Sequence, residues 1–307
     1  MTRRNGASEQ RAYPTEREVR DAGSNEANDN SIDGKTSAMQ SSTKTNLTIE
    51  GFSKRYGGVA AVKDINLMAN AASVTAVIGP NGAGKTTLLN LISGVVASDA
   101  GRMTLFGKDV TGKSPHVLAS LGLTRTYQNP QLFTEMTVLD TVMVGAHLLA
   151  NGGVLSALFN VFLTRREERR IETAARAALE RVGLKLDVFH RDASELPYGQ
   201  QRRVDIARAL ATGAQVLLLD EPAAGLNPTE TRSLADLIRD LAQEGYTVVL
   251  VEHDMEMVMR ISDHIMVMNF GEKIAEGTPA QIQSNPRVIE AYLGVDEATE
   301  AANAATE

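Results

Sequence analysis

Gly79-Pro80-Asn81-Gly82-Ala83-Gly84-Lys85-Thr86-Thr87 follows the apolar residues 74–78 and runs into Leu88, Leu89, Leu91 and Ile92. That succession predicts a strand, a glycine-rich turn and a helix, the context a phosphate-binding loop requires. Glycines at 79, 82 and 84 let the backbone turn its N–H groups inward, a nest for an anion at the positive end of a helix. On this reading all nine residues surround a polyphosphate. Lys85 reaches the β- and γ-phosphates, and the Thr86 hydroxyl joins the shell of a magnesium ion. At an effective dielectric near 20, a lysine about 4 Å from a phosphate oxygen interacts by roughly 4 kcal/mol before desolvation.

Acids and amides with a bearing on that loop stand at the ends of other apolar runs. Val216-Leu217-Leu218-Leu219 ends in Asp220 and Glu221, as a buried parallel strand does when its carboxyl end borders a ligand crevice. Asp220 is expected to hold magnesium through water, and Glu221 to face the γ-phosphate and polarise the attacking water. Residues 123–128 read as a strand whose last residue, Gln128, offers an amide to magnesium and the γ-phosphate. Residues 247–251 deliver Glu252, His253 and Asp254, and His253 can donate to a γ-phosphate oxygen. Tyr56, before Gly57 and Gly58, can stack on a purine ring. Leu196-Pro197-Tyr198-Gly199-Gln200 opens a helix carrying Val204, Ile206, Ala207, Leu210 and Ala211. That is a second anion-facing helix terminus, with Tyr198, Gly199 and Gln200 at its tip.

The 307 residues are 43% hydrophobic, enough for a sizeable core. The chain has no cysteine, which excludes disulfides, thiolate zinc sites and cysteine nucleophiles. A formal charge of −7 gives no general attraction to nucleic acid or anionic lipid. No secretory signal is expected, because no apolar segment follows Arg3 and Arg4. The uncharged residues 141–164 are broken by His147 and Asn151-Gly152-Gly153, so two short helices and a turn are expected there rather than a membrane span. Residues 1–44 are polar and aperiodic, a disordered extension, and residues 296–307 an acidic disordered tail. Residues 165–182 place Ile171, Ala174, Ala178, Leu179 and Val182 on one helical face, with Gly183 at the end. Asn227-Pro228-Thr229-Glu230 has the composition of a capped helix start.

With these motifs in order, residues 46–295 resemble the nucleotide-binding subunit of ABC transporters. The resemblance rests on Tyr56, the loop from Gly79 to Thr86, Gln128, the signature from Leu196 to Gln200, Asp220 and Glu221, Ala224-Gly225-Leu226-Asn227, and His253. It implies a P-loop α/β core with a parallel or mixed sheet, an N-terminal antiparallel β subdomain, and a helical signature subdomain over about 129–212 within an ATPase domain of residues 45–295. It implies ATP and Mg2+ as ligands, and a head-to-tail pair in which ATP lies between one subunit's loop and its partner's signature helix. Leu-Pro-Tyr-Gly-Gln-Gln-Arg-Arg at 196–203, the run 220–230 and Asn-Pro-Arg-Val-Ile-Glu-Ala-Tyr-Leu-Gly at 285–294 most resemble the branched-chain amino acid uptake ATPase. That likeness implies permease subunits, a peripheral place on the cytoplasmic side of the membrane, and an extracytoplasmic binding protein as an indirect partner.

Two motifs depart from the family pattern. Pro197 and Tyr198 stand where Ser and Gly are common, removing a hydroxyl and an N–H, and Asn227 stands where Asp is commoner. They predict a pairing with a different ATPase subunit and two unequal sites, with a homodimer as the other arrangement. An exporter ATPase for lipid or lipopolysaccharide shares this architecture and is the alternative reading. A soluble ATPase without a membrane partner is the third, although no coiled coil or basic stripe supports it.

Overall fold

The computed structural model describes residues 44–128, 132, 135–146 and 161–292. The expected extension, the acidic tail and the expected turn at Asn151-Gly152-Gly153 fall outside them, apart from Lys44. The first strands, β1 (Thr45–Tyr56), β2 (Val59–Asn70), β4 (Ala100–Leu105) and β5 (Lys108–Asp109), form an antiparallel sheet in the order β2-β1-β4-β5. Leu47, Ile49 and Phe52 of β1 are buried, and they share a cluster with Leu88, Leu89 and Ile92 of helix α1 (Lys85–Ile92).

The second sheet runs β10-β9-β3-β8-β7-β6. It comprises β3 (Ser73–Ile78), β6 (Leu123–Arg125), β7 (Val216–Asp220), β8 (Thr247–Val251), β9 (His264–Asn269) and β10 (Glu272–Gly277). Five strands are parallel, and β10 lies antiparallel on the edge. Every residue of β7 and β8 is buried, because both sheet faces are covered. Leu217, Leu219, Val248 and Leu250 face one cluster, and Val216, Leu218, Val249 and Val251 the other. That double cover is why these strands read as unbroken apolar runs rather than alternating ones. Truncating a fully buried residue such as Leu218 to alanine should cost about 2–5 kcal/mol.

Outside the sheets lie α2 (Pro115–Ser120), α3 (Val138–Ala146), α4 (Val161–Arg181), α5 (Tyr198–Ala211), α6 (Pro228–Gln243), α7 (Met255–Ile261) and α8 (Pro279–Gln283), and residues 286–292 are also helical. Helices α3, α4 and α5 bury Val138, Val142, Ile171, Leu179, Val204 and Ala207 in one shared cluster. α4 ends before Gly183, as its apolar period predicts, and Ala175 joins the buried face alongside the expected Ile171, Ala178, Leu179 and Val182. Among the described residues, no helix is long and apolar enough to cross a membrane.

Parallel register sets the position of the site. Val77 of β3 and Asp220 of β7 both pair with Val251 of β8, so the segments after all three strands leave the same edge. Strand β6 stops at Arg125, short of the expected Gln128. Thr126 N–H still reaches the Leu218 carbonyl at 2.9 Å, but the next two carbonyls turn away from the sheet to a side chain of α5.

Candidate active site

The loop after β3 is shaped by two glycines that no other residue could replace. A Cβ at Gly79 would lie 2.1 Å from the Met268 carbonyl oxygen, and one at Gly84 2.3 Å from that of Ala61. Gly84 is also the N-cap of α1 at φ 100°, and no side chain caps the helix. Its first N–H groups therefore open toward the cleft, an arrangement suited to an anion. Lys85 folds back over this turn, donating from Nζ to the Gly79 and Pro80 carbonyls at 2.6 and 3.0 Å. Burial lowers the Lys85 pKa, opposed by the carboxylates of Glu221 and Asp220. A charge held that way gains from an incoming anion.

The cleft has a volume of about 460 Å³. Asn81, Gly82, Ala83, Gly84, Lys85, Thr86, Thr87 and Glu221 line it together, joined by Val59, Ala60, Ala61, Lys63, Phe270 and Gly271. Gly79 and Pro80 stand behind as acceptors for Lys85. Tyr56 ends β1, 48% exposed and with Lys54 Nζ 5.7 Å from its ring centre, outside the lining of the cleft.

Glu221 adopts φ +45°, a left-handed conformation that side chains avoid unless their surroundings impose it. Its N–H donates to the Val251 carbonyl at 2.8 Å, and its Oε2 accepts from Gln128 Nε2 at 2.7 Å. His253 Nδ1 lies 3.7 Å from the same oxygen, with the imidazole exposed. Glu221, Gln128 and His253, 125 residues apart at the extremes, thus share one point. Asp220 next door is buried, and its Oδ2 pairs with Arg125 Nη2 at 2.6 Å. Arg125 also donates to Asn90 Oδ1 and Ser93 Oγ of the α1 segment, so the carboxylate's orientation is set from two elements.

Four residues that sequence reasoning passed over hold this constellation: Arg125, Arg202, Asp205 and Glu252. Arg202 of α5, 2% exposed, donates to the Tyr127 carbonyl at 2.9 Å and to the Gln128 carbonyl. Asp205, one turn on, accepts from the Tyr127 N–H and pairs with Arg208; burial pushes its carboxyl up against those two arginines and that N–H. Glu252, 1% exposed, accepts the Ala223 N–H at 2.8 Å on one oxygen and the His253 and Asp254 N–H groups at 2.9 and 3.3 Å on the other. It was visible in the sequence only as an acid between a strand and a histidine. Behind the loop, the Tyr292 phenol hydrogen-bonds the Gly79 backbone, which partly offsets the rise that burial imposes on its pKa.

Tyr198, Gly199 and Gln200 are not brought into this cleft. The Tyr198 ring lies against Gly225, and Arg202 stacks on it with its guanidinium 5.2 Å from the ring centre. A Cβ on Gly199 would meet Glu230 Oε1 at 2.7 Å. Pro197 caps α5 without a side-chain hydrogen bond, and Gln200 Oε1 is buried with no partner among the described residues. Asn227 caps α6 in a reciprocal box with Glu230, as its sequence predicts.

The donor set suits magnesium that arrives with phosphate. Among the described residues no three His, Cys, Asp or Glu side chains cluster to hold a metal by themselves, and magnesium commonly takes one or two protein ligands and completes its shell with phosphate and water.

A family model described as ABC transporter matches residues 62–224, and one described as Branched-chain amino acid ATP-binding cassette transporter matches residues 272–298. The high-affinity branched-chain amino acid transport ATP-binding protein BraF of Pseudomonas aeruginosa is 46% identical over 249 residues, 81% of this chain and 97% of its own length. LivG of Escherichia coli, which carries the same description, is 43% identical over the same shares. Among solved structures, an ATP-binding cassette of an ABC transporter in its ADP conformation superposes with a TM-score of 0.71 at 35% identity, covering 82% of this chain and 100% of that one. A nucleotide-free cassette gives 0.70 at 34% identity, covering 81% and 98%. With its glycine-lined loop, its paired acids at a parallel strand end and these relatives, the chain belongs to the ABC transporter family, among its ATP-binding subunits.

Proposed function

We propose that this chain is the ATP-hydrolysing subunit of an importer of branched-chain amino acids, peripheral on the cytoplasmic side of the membrane. It works beside a second ATPase subunit and beneath permease subunits fed by an extracytoplasmic binding protein. The observation that carries the chemistry is the meeting of Glu221, Gln128 and His253 at one point beside an uncapped, glycine-lined helix terminus. The solute class is supported by the description of the relatives and by the C-terminal match at residues 272–298.

In this reading the polyphosphate of ATP lies on residues 82–87, and Lys85 exchanges its two carbonyl acceptors for phosphate oxygens. Thr86, Gln128 and Asp220 would hold magnesium, which supplies neutralisation of the phosphate charge; Arg125 keeps the Asp220 carboxylate aimed. Glu221 orients and polarises the attacking water, and His253 donates to the γ-phosphate oxygens. Tyr198, Gly199 and Gln200 serve the nucleotide of the neighbouring subunit. Tyr56 flanks the base. The helical block formed by α3, α4 and α5, within residues of about 129–212, passes closure of the pair to the permease.

The test is Glu221→Gln in the reconstituted complex. Turnover should fall by orders of magnitude with Mg-ATP still bound. A turnover within about twofold of wild type removes Glu221 from this role. Uptake of labelled leucine into vesicles, dependent on ATP inside and on a binding protein outside, separates an importer from an exporter of lipid.

A further inference from the structure

One wall of the cleft carries a side chain with no part in the scheme above. Phe270 is 78% exposed, and it lines the cleft beside the phosphate loop together with Val59, itself 69% exposed. It occupies, with Gly271, the two-residue connection between β9 and β10, where Asn269 pairs with Glu272. Both residues have positive φ, +45° and +81°. That is the pattern of a type I′ turn, whose first central position favours Asn, Asp or Gly because an aromatic is strained there.

The chain contains its own control. Phe106 and Gly107 join β4 to β5 in a second turn with positive φ at both positions, +50° and +76°. There the ring packs on the core and lies against Gly122, so burial explains the strained aromatic. Phe270 has no such cover. At one residue the chain sets aside both the preference of the turn and the burial of an apolar ring, and departures of this kind concentrate where a ligand binds. The ring is also fixed relative to the phosphate loop. Gly271 donates its N–H to the Ala83 carbonyl at 3.0 Å and accepts the Lys63 N–H at 2.8 Å.

We propose that Phe270 is a second stacking face for the heterocyclic base of the bound nucleotide, in addition to Tyr56, with Val59 completing an apolar base subsite. The proposal rests on the nucleotide reading given above and extends it to a residue outside every motif that led to that reading. A planar base covers an exposed ring and an exposed valine, whereas the neighbouring Lys63 is already paired with Glu272 at 3.0 Å.

The experiment titrates Mg-ATP and Mg-tripolyphosphate into the full-length wild type, Phe270→Asn and Phe270→Tyr by calorimetry, with a thermal melt of each. Asparagine suits the turn, so Phe270→Asn should melt higher than wild type while binding Mg-ATP about tenfold more weakly and tripolyphosphate unchanged. Phe270→Tyr should bind Mg-ATP within about threefold of wild type. Wild-type affinity for Mg-ATP in Phe270→Asn overturns the base subsite, and so does an equal loss for both ligands, which would make the turn a prop for the cradle. Weakened subunit association at unchanged Mg-ATP affinity assigns the ring to a partner and overturns it too. A wild type that takes up no Mg-ATP removes the nucleotide reading itself, a failure distinct from the other three.

Discussion

Replacing Arg202 with methionine keeps an unbranched apolar stem on α5 and removes the guanidinium that grips the turn carrying Gln128. Two carbonyls, of Tyr127 and Gln128, lose their donor; a third contact, to the Glu221 carbonyl at 3.5 Å, is too long to weigh. Each carbonyl left alone costs at most about 1–3 kcal/mol, and less here because Tyr127 and Gln128 are exposed and water can replace the lost donor. Against this, methionine relieves the desolvation of a buried cation whose Nε already lacks a partner among the described residues. The net expectation is a destabilisation of about 1–2 kcal/mol. The effect on chemistry should be separable. Gln128 holds the Glu221 carboxylate, so loosening its backbone unfastens Glu221, whereas residues 82–87 are untouched. Single-turnover hydrolysis should slow by about tenfold or more, with Mg-ATP affinity within about twofold of wild type. Arg202→Lys, a point donor in place of a fork, should recover only part of the rate. Wild-type turnover together with a wild-type denaturation midpoint in Arg202→Met would refute the clamp.

Glu252→Gln places an amide NH2 group where three backbone N–H groups now converge on carboxylate oxygens. It should cost about 1–3 kcal/mol in a urea titration and slow hydrolysis, since those groups follow Glu221 and include the N–H of His253; an unchanged midpoint would show that the loops hold without it. The lowered pKa of Lys85 carries a pH signature with two signs. Between the folded value and the ordinary lysine value, the unfolded chain binds more protons, so stability of the free protein rises with pH across that window. Over the same window nucleotide affinity should fall as the charge is lost, and binding should take up a proton, readable by calorimetry in buffers of different ionisation enthalpy. Affinity independent of pH up to the ordinary lysine range would contradict a charged Lys85 facing phosphate.

The architecture was largely legible because its decisive signals are local. Apolar runs without alternation at 216–219 and 247–251 announce strands covered on both faces, and a glycine-rich turn between a strand and a helix has few other meanings. The cap at Asn227 is equally local and is found as read. What escaped is non-local and polar. Arg125 meets Asp220 across 95 positions, Arg202 meets Tyr127 across 75, and Glu252 meets Ala223 across 29, and single charged residues carry no periodic mark of their partners. The strand expected to reach Gln128 ends at Arg125 for the same reason, because Arg202 takes carbonyls that a neighbouring strand would otherwise have used. Phe270 escaped because an aromatic before a glycine reads as an ordinary turn until its exposure and dihedral angles are known.

The strand that feeds the phosphate loop lies between β8 and β9, with the Tyr292 phenol behind the first glycine of the loop. All three supports are encoded about 170 residues or more downstream of what they support. At about 5–20 residues per second, a ribosome makes β3 on the order of ten seconds before its flanking strands exist. The growing polypeptide therefore carries an unbraced β3 until β8 and β9 emerge, and competence for nucleotide waits for them and for Tyr292.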